Sequence, residues 1–537
     1  MPSTLSFTHL SFAWPDGRTV FRDLTFALPS GLSGMVGRNG IGKTTLARLA
    51  VADLAPTAGS VARPDRFAYV PQHVALAVDD AVADVLGIGA TVRALRAIEG
   101  GSTDPADYDA VADDWLVEER AHATLDALGL GNIGLDRRIG QVSGGEATLL
   151  AVGASLLAAS DVLLLDEPTN NLDADARERL VEALVQRQGT TAVITHDRAL
   201  LSRVERIGEL REKADGSTEL RWFGGAIAAF EEAVAAEQDG ARQVVAGAVA
   251  HAARERRDLV ARVESAGKRR RQAASARANA KVTRAGVKVK TDQAARTEAR
   301  VRHVHEDRLD AATARLADAR AAIERDRSIR IDLPLTAVPH RRVILRAAGL
   351  VTRTGECGDV SIVGPERIVI AGANGSGKTT LIETLLGTRE PVVGTVAVRV
   401  PTGYLPQRLD LLDDALSVVD NVRRRAPEVA PQEVRDQLGK FQFRGAAADA
   451  LAATLSGGER FRAALACVLL ARPAPQLLVL DEPTNNLDFA SQEHLAQALE
   501  GYGGALVVVS HDPAFVESIA PTRRWTLGEG LEDVPLQ

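Results

Sequence analysis

Eight residues, Asp166-Glu-Pro-Thr-Asn-Asn-Leu-Asp173, recur letter for letter as Asp481 to Asp488. Two adjacent carboxylates have separate uses in hydrolysis. Asp166 or Asp481 can hold a metal ion through water, and Glu167 or Glu482 can orient or deprotonate an attacking water. A single Asp-Glu pair reads equally well as an acidic turn that caps the next helix. A repeat of eight identical residues does not, and it points to one site built twice.

A second pair of motifs supplies a substrate class. Gly37-Arg-Asn39-Gly40-Ile-Gly42-Lys43-Thr44-Thr45 and Gly372-Ala-Asn374-Gly375-Ser-Gly377-Lys378-Thr379-Thr380 both fit G-x-x-x-x-G-K-[ST]. The glycines let backbone N–H groups curl around phosphates, and the lysine reaches the β and γ phosphates. The first threonine offers a hydroxyl to Mg²⁺, while the N-terminus of the following helix adds its dipole. Nucleotide triphosphate and Mg²⁺ are therefore the expected ligands.

The elements around these motifs must hold them at one edge of a sheet. Val162-Leu163-Leu164-Leu165 and Leu477-Leu478-Val479-Leu480 run into the acidic pairs without polar alternation, as strands buried on both faces of a parallel sheet do. The carboxyl ends of such strands are where open α/β sheets bind ligands. Gln72 and Gln407 each lie 29 residues after the P-loop lysine. Ser143-Gly144-Gly145-Glu146 and Ser456-Gly457-Gly458-Glu459 each open a helical stretch; they can cap it, or present N–H groups to a phosphate from the opposite side. His196 and His511 each follow an apolar strand (Thr191-Ala-Val-Ile and Leu506-Val-Val-Val).

The copies are offset by 335 residues at the lysines and glutamines, 313 at the serines and 315 at the Glu and His pairs. The first copy thus carries about 22 more residues between Gln72 and Ser143, which predicts a helical insertion near residues 75–140.

The order P-loop, Gln, Ser-Gly-Gly, Asp-Glu, His, seen twice, resembles the ATP-binding cassette proteins. The Glu-ended Ser-Gly-Gly, the charged helical linker and the lack of any long apolar run resemble their ABC-F family in particular. That resemblance implies an α/β fold of two P-loop NTPase cassettes, at 1–225 and 333–537, joined by a long α-helical hairpin over 226–332. It further implies that the cassettes of one chain clasp head to tail. Site one would then combine Lys43, Thr44, Gln72, Asp166, Glu167 and His196 with Ser456, Gly457, Gly458 and Glu459. Site two would combine Lys378, Thr379, Gln407, Asp481, Glu482 and His511 with Ser143, Gly144, Gly145 and Glu146. In this scheme the Thr, Gln and Asp serve Mg²⁺, the Glu positions water and the His steadies the γ-phosphate. Trp14 is similar in position to the family's adenine-stacking aromatic, with a plain core tryptophan as the alternative. Leu350-Val-Thr-Arg-Thr354 has no aromatic, Val142 replaces the usual Leu before Ser143, and Ala147 stands where the second copy has Arg460. The two sites are expected to differ.

The charge is unevenly spread. The chain carries −7 overall, yet residues 241–330 hold 23 Lys+Arg against 11 Asp+Glu, which leaves −19 elsewhere. From about Ala226 to Arg330 the sequence is rich in Ala, Arg and Glu and lacks proline, suiting helices of roughly 35 to 40 residues each. Leu309, Leu316 and Ile323 with Ala312 and Ala319 form a short heptad seam. Between the arms, ten basic residues face the single acid Glu264: Arg262, Lys268, Arg269, Arg270, Arg271, Arg277, Lys281, Arg284, Lys288 and Lys290. Basic residues without aromatic platforms favour phosphate and shape reading over base reading. A solvated charged hairpin is the alternative to RNA contact.

Cys357 and Cys467 are too few for a disulfide framework and read as core residues. The N-terminus has no secretion pattern, and no run approaches the apolar length of a membrane span. A cytoplasmic protein is expected, with no membrane insertion. Members of the resembled family act on ribosomes, some against antibiotics, so the implied partner is ribosomal RNA or tRNA and the implied role is translation or drug protection. The rival readings are the ATPase subunit of a membrane transporter and an ATPase that binds DNA structures.

Overall fold

The structure is a computed structural model. It describes residues 4–278 and 333–536 apart from 73, 75, 171, 214, 408, 409, 486 and 529, together with 303, 308, 309, 311–314 and 316. Its contacts divide the chain into two units, Met1–Phe230 with Ser328–Gln537, and Glu231–Arg327.

The first unit holds two copies of one architecture. In each, the apolar runs become the centre of a six-stranded sheet. The first sheet runs Phe67–Val70, Val162–Asp166, Thr190–Ile194, Gly31–Gly37, Arg206–Glu212, Thr218–Gly224. The second runs Thr402–Leu405, Leu477–Asp481, Ala505–Val509, Arg367–Gly372, Arg523–Leu527, Leu531–Pro535. Five strands of each are parallel and the last is antiparallel. All five residues of Val162–Asp166 and of Leu477–Asp481 are buried, because helices cover both faces of a parallel sheet. A smaller antiparallel sheet completes each copy: Thr19–Ala27, Ser6–Ala13, Ala58–Ala62 in the first, Gly355–Val363, Val343–Thr352, Val393–Val398 in the second.

Register explains why the acids and histidines meet. Asp166 pairs with Ile194 and Asp481 with Val509. The residues that follow, Glu167 and Thr195-His196 in one copy and Glu482 and Ser510-His511 in the other, therefore leave the sheet at the same carboxyl edge. The P-loops leave it one strand further along, after Gly31–Gly37 and Arg367–Gly372.

The copies differ between the glutamine and the Ser-Gly-Gly. The first has helices Val82–Val85, Gly89–Glu99, Pro105–Val111 and Val117–Ala127; the second has Val418–Arg423 and Pro431–Leu438, followed by 3₁₀ turns.

Ile227–Ala278, which belongs to the second unit from Glu231 onward, is one helix of 52 residues, about 78 Å at 1.5 Å per residue. This corrects the expected arm of 35 to 40 residues. The basic stretch from Arg262 to Ala278 prolongs the helix rather than forming the connection, since alanine and arginine favour helix and no proline interrupts them. Ala252 and Ala312 are buried, while Lys268 and Arg271 are exposed. Lys281, Arg284, Lys288, Lys290, Ala319 and Ile323 lie outside the described residues, as do the side chains of Arg262, Arg269, Arg270 and Arg277. Among the described residues, no helix is long and apolar enough to cross a membrane.

Candidate active site

Each P-loop turns on glycines that a side chain would disturb. Gly42 (φ +108°) and Gly377 (φ +97°) cap the helices Lys43–Ala50 and Lys378–Leu385 in the left-handed region. A Cβ at Gly42 would lie 2.5 Å from Val20 Cγ1 and 2.7 Å from Phe21 Cζ. The loops fold back on their lysines. Lys43 Nζ donates to the carbonyls of Gly37 (2.6 Å) and Arg38 (3.2 Å), and Lys378 Nζ to those of Gly372 (2.7 Å) and Ala373 (3.0 Å). Burial holds both ammonium groups below the ordinary lysine range, and the nearby Glu and Asp residues partly oppose it.

The acids sit opposite. Asp166 is 1% exposed and Asp481 3%. Thr379 donates its hydroxyl to Asp481 Oδ2 (3.0 Å), and the Tyr404 hydroxyl approaches the same oxygen (3.5 Å). A threonine hydroxyl beside a buried carboxylate is a hard-oxygen donor pair. Among the described residues no group of three or more His, Cys, Asp or Glu could hold a metal by itself. That combination fits Mg²⁺, which keeps waters and leans on substrate phosphates rather than on a protein cage. Gln72 is half-buried and Gln407 exposed, each just past the outermost parallel strand of its sheet.

Glu167 and Glu482 occupy the next position, both with a left-handed backbone (φ +48°). Their N–H groups donate to Ile194 O (2.7 Å) and Val509 O (2.9 Å), which ties each acid to the strand that carries the histidine. His196 Nε2 lies 3.8 Å from Glu167 Oε1, and His511 Nε2 3.3 Å from Glu482 Oε1. Burial pushes both glutamates up to about 7, against the pull of Lys43 and Lys378 respectively. Burial and the same lysines push His196 down to about 3 and His511 to about 4. The histidines are thus neutral imidazoles at pH 7, and the glutamates exchange a proton near it.

Both Ser-Gly-Gly-Glu motifs form capping boxes. Ser143 N donates to Glu146 Oε2 (2.6 Å) and Glu146 N to Ser143 Oγ (3.2 Å); the Ser456–Glu459 pair repeats this at 2.9 and 3.4 Å. The caps set the serines at the starts of helices Gly144–Leu157 and Gly457–Leu469, whose dipoles suit an anion.

Contacts then join the two copies crosswise. Asn39 N donates to Asp488 Oδ2 (2.7 Å), and Asn374 N to Asp173 Oδ2 (3.2 Å). A Cβ at Gly40 would sit 3.7 Å from Ser456 Cβ, whereas a Cβ at Gly375 would meet nothing within 4 Å. The pairing of each P-loop with the opposite copy is present at both ends, and the first end is closer-knit.

Asp173 and Asp488 close the repeated octet, and nothing in their local sequence marks them as residues that bond across the copies. They also cap the helices Ala174–Gln186 and Phe489–Glu500 by accepting from Ala176 N and Ser491 N. Replacing Asp488 with alanine removes a cap and the cross-copy bond together. The expected cost is about 1–2 kcal/mol, or several degrees of thermal stability, against much less for Asp488→Asn, which keeps the cap. Equal melting temperatures for Asp488→Ala and the parent would contradict this. Trp14 is half-buried, edge-on to Phe12 at 5.1 Å between centroids; Val20 and Phe21, rather than Trp14, pack beneath the P-loop glycine.

Comparison with known proteins follows the same division. The ABC transporter family matches residues 21–170 and 359–485. The chain is 33% identical over 530 residues to the tylosin resistance ATP-binding protein TlrC of Streptomyces fradiae, covering 93% of this chain and 92% of that one. It is 32% identical over 514 residues to the probable ATP-binding protein YheS of Haemophilus influenzae, covering 89% and 72%. Its fold is similar to that of the archaeal ribosome recycling factor aABCE1, solved with the ribosomal stalk protein aP1, at 19% identity and a TM-score of 0.57, covering 98% of this chain and 89% of that one. The chain belongs to the ATP-binding cassette proteins, in their ABC-F family, and is a tandem-cassette ATPase.

Proposed function

We propose that the protein binds two ATP·Mg²⁺ between its cassettes, clasps the ribosome in that state in the cytoplasm, and is released when the ATP is hydrolysed. The observation that carries the nucleotide half of this reading is the reciprocal bonding of Asn39 to Asp488 and Asn374 to Asp173. Each P-loop is thereby held against the opposite cassette, where Ser456 or Ser143 caps a helix whose N-terminus can meet the γ-phosphate. Thr44 and Asp166, or Thr379 and Asp481, hold Mg²⁺ with Gln72 or Gln407; Glu167 and Glu482 position the attacking water; His196 and His511 donate to the γ-phosphate. Bound ATP supplies the negative charge that completes the clasp, and hydrolysis removes it.

The ribosomal half rests on the net-positive segment 241–330, on family membership and on likeness to a protein named for tylosin resistance. In this reading the basic helical linker reaches towards tRNA or the peptidyl-transferase region and reads phosphate and shape, in translation or in protection against a drug. The test is co-sedimentation of the Glu167→Gln/Glu482→Gln protein with ribosomes, with ATP and without. ATP-dependent pelleting, lost when Lys268 and Arg269–Arg271 are neutralised, is the expected outcome. Absence of pelleting in both conditions overturns the ribosomal reading and turns attention to branched DNA, then to a separate permease.

A further inference from the structure

The two sites are built from near-identical motifs, yet the residues that reach them from the opposite cassette are chemically unlike. After Asp488 the second cassette continues Phe489-Ala-Ser-Gln492; after Asp173 the first continues Ala174-Asp-Ala-Arg177. At site one, Phe489 and His196 meet nearly perpendicular (5.4 Å between centroids) and Arg198 lies over the Phe489 ring (5.1 Å). At site two Ala174 stands in the place of Phe489, and a cation three residues further on, Arg177, meets the histidine loop.

Arg177 extends from the first helical turn of Ala174–Gln186 and is largely buried, its side chain 16% exposed. Its Nη1 donates to the backbone carbonyl of His511 (3.0 Å), across the cassette boundary. Its Nε lies 3.0 Å from Asp197 Oδ2, an ion pair rather than an aligned hydrogen bond. Asp197 directly follows His196 and caps the helix Arg198–Leu201 through Ala199 N and Leu200 N. One guanidinium therefore joins the loop of the first histidine to the loop of the second. Its counterpart Gln492 donates within its own cassette, to Leu487 O at 3.4 Å. Both side chains line a cavity of about 60 Å³ shared with Glu167, His196, Thr484 and Asp512.

We propose that Arg177 is a positioning residue for hydrolysis at site two: anchored on Asp197 in its own cassette, it fixes the His511 loop of the other one. This rests on the assignment of the two composite sites above and adds a direction to it. A buried guanidinium on a carbonyl is a strong, charge-assisted bond. It holds the His511 main chain at the distance that sets the imidazole beside Glu482. Among the described residues, the matching place at site one holds Gln492 rather than a cation, and its histidine contacts an aromatic ring. Site two is also the more open of the pair at its P-loop, where Gly375 has no neighbour within 4 Å of an added Cβ. It is the site in which a loop has more to gain from an external tie.

The test isolates each site. On a Glu167→Gln background only site two turns over, and on a Glu482→Gln background only site one. Arg177→Gln should lower kcat at site two about tenfold while the KM for ATP stays within about twofold. Site one should change far less. Arg177→Lys should restore part of the rate, since it keeps the charge but loses the fork. Asp197→Asn, which keeps the helix cap and removes the anchor, should lower site-two kcat although Asp197 belongs to the other cassette. An unchanged kcat at site two in both Arg177→Gln and Asp197→Asn overturns the proposal, and so does an equal fall at both sites, the mark of general packing damage. If instead Glu482→Gln fails to silence the Glu167→Gln protein, the assignment of the two glutamates to their sites has failed, and Arg177 is not the cause.

Discussion

Replacing Glu167 and Glu482 together with glutamine is expected to cut ATP turnover by about 10²–10⁴-fold, the usual contribution of a positioned general base, while ATP remains bound. Each carboxylate is held by its backbone rather than by chance of rotamer. Both glutamates take φ +48°, a conformation that costs a residue with a side chain about 1 kcal/mol or more and persists where surroundings enforce it. The enforcement is visible in the N–H bonds to Ile194 O and Val509 O, which pin the acid to the histidine strand. Glutamine fits the same space and keeps the hydrogen bonds of an amide, so Lys43, Lys378 and the P-loop glycines are untouched. Binding of a labelled ATP should therefore stay within a few-fold of the parent while product release falls. A double variant that keeps more than a tenth of the parental turnover would show that the water is activated elsewhere.

The parts that were legible in the sequence are those that chemistry repeats. The octet ending in Asp173 and Asp488, both P-loops and both Ser-Gly-Gly-Glu motifs announced themselves by recurring, and the uninterrupted apolar runs before the acids fixed their strands. Other features are particular to one copy and carry no repeat. Arg177 stands opposite Gln492 and Phe489 opposite Ala174, and nothing in either single stretch marks them as reaching into the opposite cassette. Asp173 and Asp488 lay in plain view, but their bonds to Asn374 and Asn39 span 201 and 449 residues, a distance no local pattern encodes. The linker illustrates a different limit. Its composition marks the helix, yet charge density alone does not say where a helix stops, so the basic stretch from Arg262 looks in sequence like the connection. Alanine, arginine and lysine all tolerate helix, so Ile227–Ala278 simply continues through it.

The same glutamates should make the nucleotide-free protein more stable when they are removed, and only at one end of the pH scale. Burial raises each from its ordinary value of 4.5 to about 7. Between these two values the folded protein holds a proton that the unfolded chain has released, so stability falls as pH rises through that window. Below about 4.5 both states are protonated and the penalty vanishes; above about 7 it is fully present. The full span corresponds to roughly 3 kcal/mol per glutamate at 1.36 kcal/mol per pH unit. The attraction to Lys43 or Lys378 is already contained in that net shift; the cost of burying the amide in the glutamine variant takes back part of it, which leaves about 2 kcal/mol. Glu482→Gln should thus raise the melting temperature of the ATP-free protein by about 4–8 °C at pH 8 and by little at pH 5. Glu167→Gln should behave alike, with Lys43 in the part of Lys378. The carboxylate that hydrolysis needs is, by this account, one that the empty fold would rather not charge, and ATP-free melting curves at the two pH values decide it. Identical shifts at pH 5 and pH 8 would mean that shape, not charge, separates Glu from Gln at these sites.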